Sequence, residues 1–193
     1  MNPKSDGNII PESVIDSLPH CYLILTARHY PIRMRWLVIL ALAAGPLFSQ
    51  STVFVVRHAD RYGTEPDPDI TPEGRRQAAA LGRLLSDSQI TRIFTSEAVR
   101  THQTAAPTAE RFHVKPVIID SKEIDALVQQ VRAGLKSGEA ALIVGHRGTV
   151  PRIVKGLTGK EVTPLEVGEY DRLEVVTLFP DGRSSVVTLR FGH

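Results

Sequence analysis

Four side chains of this 193-residue sequence have the types and placement that chemistry needs: Arg57, His58, Arg100 and His146. Each follows a short apolar run. Thr52–Val56 leads into Arg57-His58-Ala59-Asp60, Ile90–Thr95 into Ser96-Glu97-Ala98-Val99-Arg100-Thr101, and Ala140–Val144 into Gly145-His146-Arg147-Gly148-Thr149. Arginine presents a planar fork that grips two oxygens of one anion, and imidazole is the side chain that changes charge near neutral pH. Two arginines and two histidines delivered to one place make, by composition, a phosphate site.

That convergence requires the three runs to be strands whose carboxyl ends share one edge of a sheet, where open parallel α/β sheets bind ligands. The rest of the pattern agrees. Thr52–Val56 is β-branched and unalternating, as a strand buried on both faces should be. Thr71-Pro72-Glu73 reads as a helix start, with Thr as cap, Pro in the first turn and Glu at the positive dipole end, and Ala78, Leu81 and Leu85 continue an apolar stripe. After Ile90–Thr95, the residues Thr101, Ala105, Thr108 and Phe112 keep helical spacing. Val117–Ile119 reads as a third strand. Ile124, Leu127, Val128, Val131 and Leu135 mark an amphipathic helix, and Thr149–Leu157 a short one. Leu173–Phe179 and Ser185–Phe191 alternate around Pro180-Asp181-Gly182, a hairpin signal. The expected fold is α/β: a three-layer sandwich, a mainly parallel sheet with helices on both faces and a C-terminal hairpin.

Composition narrows the function classes. The chain is 42% hydrophobic and 23% charged, enough to bury a core, and its net charge of +2 offers no basic footprint for nucleic acid. One cysteine, Cys21, excludes an intramolecular disulfide and a cysteine zinc cage. The N-terminal region reads differently from the rest. Residues 1–33 carry scattered prolines and no periodicity, and are expected to be a disordered upstream extension, with Met34 the true start. Residues 34–50, with Arg33 and Arg35 ahead of the apolar run Trp36–Phe48, have the parts of a signal peptide, or of a short membrane anchor if uncleaved. Export to a periplasmic or secreted location follows, with residues 51–193 as the domain. A mature chain without Cys21 would hold no thiol.

Val55-Val56-Arg57-His58-Ala59, Thr95-Ser96 through Arg100-Thr101 with Gln103-Thr104-Ala105, and Val144-Gly145-His146 together resemble the histidine phosphatase superfamily, the clan of phosphoglycerate mutases and phosphohistidine phosphatases. The resemblance runs from about Thr52 to Arg190. It implies that His58 is the nucleophile that takes the phosphoryl group, and that Arg57, Arg100 and His146 surround its three equatorial oxygens. Physical chemistry accommodates those roles. Phosphoryl transfer needs an in-line nucleophile and positive charge around the spreading negative charge. Histidine attacks only when neutral, so one ring nitrogen must be free while the other is held, as by a backbone carbonyl. Four such groups can replace a magnesium ion, so neither a metal nor a cofactor is called for. Thr149 is expected to cap its helix and to offer a backbone N–H to phosphate. Ser96 reads either as a motif serine or as a helix N-cap.

A general acid is harder to place. Glu123 and Asp60 rank equally by spacing, with Asp120 behind, and the position after the second histidine, an aspartate in the acid-phosphatase branch, is Arg147. An acid-poor site favours phosphoramidates or activated esters, and Arg147 would extend the pocket toward an anionic substrate. His102, His113 and His193 receive no role. The function expected is a metal-independent phosphatase acting through phosphohistidine on a phosphomonoester or phosphoramidate, its partner a small phosphorylated molecule or a phosphohistidine protein. Two alternatives stand beside it: a non-catalytic phosphate-binding module, and a mutase-like phosphotransferase. A metal hydrolase with His58, Asp60 and His146 as ligands would place two arginines against the cation.

Overall fold

The computed structural model describes residues 50–63 and 65–191, so the expected extension and the signal or anchor segment up to residue 49 lie outside the described residues. Six strands form one sheet: β1 (Ser51–Arg57), β2 (Ile90–Thr95), β3 (Val117–Ile118), β4 (Ala140–Gly145), β5 (Arg172–Leu178) and β6 (Ser184–Arg190). Four helices join or follow the first four strands: α1 (Pro72–Leu84), α2 (Val99–Phe112), α3 (Ile124–Gly134) and α4 (Val150–Thr158). The strand order is β3-β2-β4-β1-β5-β6. β3, β2, β4 and β1 pair in parallel, while β5 lies antiparallel to β1 and to β6. The fold class read from the sequence is the one adopted.

Alternation along the strands sorts the core into two layers. Val53, Val55, Ala141, Ile143 and Val176 face Ile124, Leu127 and Val131 of α3 and Ile153, Val154 and Leu157 of α4. On the opposite face, Val56, Ile93, Leu142, Val144 and Leu173 meet Leu81 of α1 and Ala105 of α2. β1 and β4, central and covered on both sides, are the strands that read as continuous apolar runs. β3 is two residues long instead of the expected three, because Ile119 leaves the ladder after its N–H bonds the Thr95 carbonyl.

Local chemistry sets the element ends. Thr71 caps α1 as expected, its Oγ1 accepting from the Gly74 N–H at 3.0 Å. A Cβ on Gly74 would stand 2.2 Å from the Asp60 carbonyl oxygen, so only glycine lets α1 begin this close to the strand exit. The hairpin turns at Asp181-Gly182, where Gly182 takes φ +85° and Phe179 N–H bonds the Arg183 carbonyl. His113, left without a role, is the left-handed C-cap of α2 at φ 54°.

Candidate functional site

β1 and β4 run in parallel register with Arg57 beside Gly145, and the His58 N–H extends the ladder by one bond to the Gly145 carbonyl at 2.9 Å. The chain therefore releases His58 and His146 side by side at the carboxyl edge. Their rings meet edge to face, with centroids 5.5 Å apart. A Cβ on Gly145 would stand 2.8 Å from Thr149 Oγ1, so the bare backbone there admits the turn that carries His146.

His58 is 4% exposed, and its Nδ1 lies 2.8 Å from the carbonyl oxygen of Ala59. A carbonyl only accepts, so Nδ1 holds the proton and Nε2 keeps its lone pair. Burial, with Arg57, His146 and Arg100 adding to it against the Ala59 bond, pushes the His58 pKa down to about 3. The imidazole is neutral throughout the physiological range. Ala59 is fixed in turn by its N–H to Thr104 Oγ1, at 2.9 Å, from α2.

His146 is held from three sides. Its backbone N–H donates to Thr149 Oγ1 at 2.8 Å, its Nδ1 is 3.4 Å from Arg100 Nη2, and its Nε2 is 2.9 Å from Ser96 Oγ. Arginine only donates, so Nδ1 accepts and Nε2–H points to Ser96. Ser96 Oγ also accepts from the Ala98 N–H and lies 3.2 Å from Thr101 Oγ1, which gives its proton to the Ala98 carbonyl at 2.7 Å. Burial, then the Arg100 charge, lowers the pKa of His146, against Glu97 and Asp67. A cavity of about 20 Å³, room for one water, lies behind this ring among Ser96, Asp120, Ser121 and Thr149.

The two arginines are tethered differently. Arg57 Nη1 donates to three carbonyls of one turn, those of Glu166 (3.2 Å), Val167 (2.7 Å) and Glu169 (3.1 Å). Its guanidinium carbon stacks 4.0 Å from the centre of the Tyr170 ring, which is also 6.0 Å from the His58 ring. Arg100 Nη1 instead meets Asp67 Oδ1 at 3.1 Å, and that carboxylate accepts the Val99 N–H at the start of α2. Both arginine Nε atoms are buried with no hydrogen-bond partner in the protein. Two N–H donors are thus left unpaired in a water-poor site.

Of the residues expected from the sequence, Arg57, His58, Arg100 and His146 come together. Thr149 requires a correction. It occupies the N-cap position of α4 without a side-chain cap bond, and its N–H is engaged by the His146 carbonyl at 3.0 Å, so it fixes His146 and has no N–H left for phosphate. Ser96 is not the N-cap of α2 either; Ala98 is, and Ser96 supports His146. Asp60 stays beside Arg57, but its Oδ2 accepts the Thr71 hydroxyl at 2.8 Å and is turned to the cap of α1. Glu123 stands exposed before α3, its N–H on the Asp120 carbonyl, and it contacts none of the four. Asp120 Oδ1 accepts the Lys122 N–H. Among the described residues no group of three or more His, Cys, Asp or Glu side chains is arranged to hold a metal ion.

Sequence reasoning missed Tyr170, the 166–169 turn, Asp67 and Glu97. Glu97 accepts from the Ser121 N–H and hydroxyl; burial alone would raise its pKa, but those bonds and its own backbone N–H hold it below the usual range. An acidic residue directly after a strand-end serine was the available signal for Glu97. Nothing local marks Tyr170, which the antiparallel return of β5 brings across.

Residues 53–126 match the family model described as histidine phosphatase superfamily (branch 1). That match places the stretch from β1 to the start of α3 in the histidine phosphatase superfamily. Solved structures with the superfamily fold resemble the chain closely in shape. The protein histidine phosphatase SixA, complexed with tungstate, is 19% identical with TM-score 0.57, covering 72% of this chain and 96% of that one. Mycobacterial glucosyl-3-phosphoglycerate phosphatase is 12% identical with TM-score 0.60, covering 73% and 99%. The alpha-ribazole phosphatase of Shigella flexneri is 14% identical with TM-score 0.59, covering 72% and 96%. No curated protein sequence matches this one. The superfamily model runs from β1 to the start of α3 and takes in Arg57, His58 and Arg100, so His146 and the Arg57 tether lie beyond it.

Proposed function

We propose that the protein is a metal-independent phosphatase in which His58 Nε2 accepts the phosphoryl group. The observation that supports this most is the pairing of a His58 whose proton is fixed on Nδ1 with two buried arginine Nε donors that lack partners. The lone pair of Nε2 attacks phosphorus, the bond to the leaving oxygen or nitrogen breaks, and the leaving group takes a proton. Water then attacks the phosphohistidine, giving inorganic phosphate and the free imidazole. The guanidinium groups stabilise the charge that spreads over the equatorial oxygens. A phosphate dianion beside His146 adds to the negative charge of Glu97 and Asp67, so His146 takes up a proton on Nδ1, gives up its bond from Arg100 Nη2 and donates to the anion.

Leaving-group protonation decides the substrate class. Asp60 is bound by Thr71, Glu97 is held as an acceptor, and Glu123 stands exposed before α3 without a hydrogen bond to any of the four. With none of these poised to give a proton, substrates whose leaving group departs unaided are favoured: phosphoramidates such as phosphohistidine, and activated esters. The likeness to a protein histidine phosphatase points the same way. The same feature supports a second reading, a module that binds phosphate without turnover.

Hydrolysis of an aryl phosphate and of a phosphoramidate, in excess chelator, with His58→Ala alongside, tests the proposal. Activity that survives chelation, disappears in His58→Ala and leaves an acid-labile, base-stable phosphoryl group on the trapped enzyme is expected. Inactivity toward both substrates with intact phosphate binding would favour the binding module, and chelator-sensitive activity indifferent to His58 would overturn the mechanism.

A further inference from the structure

The walls of the site differ in charge. On the Arg100–His146 side, Asp67 pairs with Arg100 at 3.1 Å, and both Asp67 and Glu97 act on His146. On the Arg57 side, guanidinium groups gather instead. Arg57 is held by neutral carbonyls that orient it without offsetting its charge. Arg61, four residues along from it, turns its Nη1 to the carbonyls of Tyr62 (3.2 Å) and Gly63. Arg147, directly after His146, is exposed and has no ion pair among the described residues. Because β1 and β4 are register neighbours, the segments bearing Arg61 and Arg147 leave the sheet next to each other. Both charges are near enough to depress Arg57 further, after burial, with Tyr170 and then Asp60 opposing them.

Like charges gathered around a buried arginine oppose one another, and a folded chain would relieve them with carboxylates unless an anion fills that role. One phosphate dianion engages Arg57 and Arg100. Arg61 and Arg147 remain, both acting on Arg57 and neither paired with a carboxylate among the described residues. We infer that Arg147, with Arg61, forms a second anion subsite beside the phosphoryl pocket, and that the substrate carries a second anionic group, a carboxylate or another phosphate, close to the phosphate that is transferred. The inference rests on the proposed phosphatase site and names its substrate class.

Competitive inhibition of aryl phosphate hydrolysis by the full chain separates the two ideas. The probes are inorganic phosphate and methylenebisphosphonate, which places a second phosphonate one carbon away and is not hydrolysed. The bisphosphonate is expected to bind at least tenfold more tightly than phosphate. Arg147→Gln should remove most of that advantage while changing the inhibition constant of phosphate less than threefold, and Arg147→Lys should restore part of it. Raising the salt concentration should narrow the gap, since the subsite is exposed. Equal inhibition by the two anions, or an equal loss for both in Arg147→Gln, would overturn the subsite while leaving the phosphatase reading intact. Failure of the His58 test removes the phosphatase reading, and direct binding of the same two anions then still decides the subsite.

Discussion

Glu169 is the residue through which the Arg57 tether can be tested without touching the pocket. Its Oε2 accepts the Glu166 N–H at 2.9 Å and closes the turn whose carbonyls hold Arg57 Nη1. Its Oε1 meets Arg190 Nη2 of β6 at 2.8 Å and Arg172 Nε of β5 at 3.6 Å, with the Glu169 side chain 8% exposed. Charge-assisted bonds in such a setting contribute about 2 kcal/mol, so Glu169→Ala should lower stability by roughly that amount. The larger question is what happens at Arg57. A guanidinium released from its turn regains rotamer freedom worth about 1–2 kcal/mol, which phosphate binding must then remove. Phosphate affinity should fall about 5- to 30-fold. Glu169→Gln keeps an acceptor for the Glu166 N–H but loses the ion pairs, so it should lose stability with a much smaller change in affinity. The assay is the inhibition constant for inorganic phosphate against aryl phosphate hydrolysis, beside a urea unfolding curve for each variant. If Glu169→Ala loses stability with unchanged phosphate affinity, the turn does not position Arg57 and the reasoning fails.

His58, held near pKa 3 by burial, takes up a proton more readily in the unfolded chain, near the ordinary 6.5. Its contribution is fully present above pH 6.5 and is lost as pH falls toward 3, at about 1.4 kcal/mol per pH unit within that window; His58→Gln should flatten the acid limb of a urea stability profile by that slope. Gly74→Ala, whose Cβ would meet the Asp60 carbonyl, should cost about 1–3 kcal/mol in the same unfolding measurement. Ser96→Ala leaves the buried His146 Nε2–H without its acceptor and should lower stability by about 1–3 kcal/mol, with a shift of the His146 titration visible by NMR. Asp67→Asn removes the carboxylate that competes for Arg100, a half-exposed pair worth about 0.2–1 kcal/mol, and should tighten phosphate binding by up to about fivefold in the inhibition assay.

Much of the arrangement was legible because it depends on strand ends. Val53 and Val55 facing one helix layer and Val56 the other are what an unalternating β-branched run requires, and burial on both faces places β1 and β4 at the centre. Once the strands are parallel, Arg57-His58 and His146 must emerge on one edge. What was not legible depends on contacts distant in the chain. The carbonyls that hold Arg57 are 109 to 112 residues away from it, and carbonyls have no residue type to recognise. Thr149 was misread for a related reason: a threonine ahead of a helix suits a cap, yet the glycine at 145 brings its hydroxyl within reach of the His146 N–H, and the local turn wins. Asp60 was a candidate acid by proximity alone, and the demand of the α1 cap decided its partner.

The different tethers of the two arginines have a common electrostatic logic. A carboxylate partner orients a guanidinium and also offsets its charge, whereas carbonyl dipoles orient it and leave the charge available. Arg57, adjacent to His58 and deep in the site, has the carbonyls and the Tyr170 face; Arg100, at the start of α2 and nearer solvent, has Asp67. Phosphate can displace a half-exposed Asp67 from Arg100 at small cost, and the freed carboxylate returns to water while still accepting the Val99 N–H. The same exchange at a buried Arg57 would strand a carboxylate in a low-dielectric pocket beside the incoming anion, where repulsion and desolvation both oppose binding. Neutral tethering of the buried Arg57 and ionic tethering of the less buried Arg100 therefore form the combination that holds both guanidinium groups in place before phosphate arrives and still lets it bind.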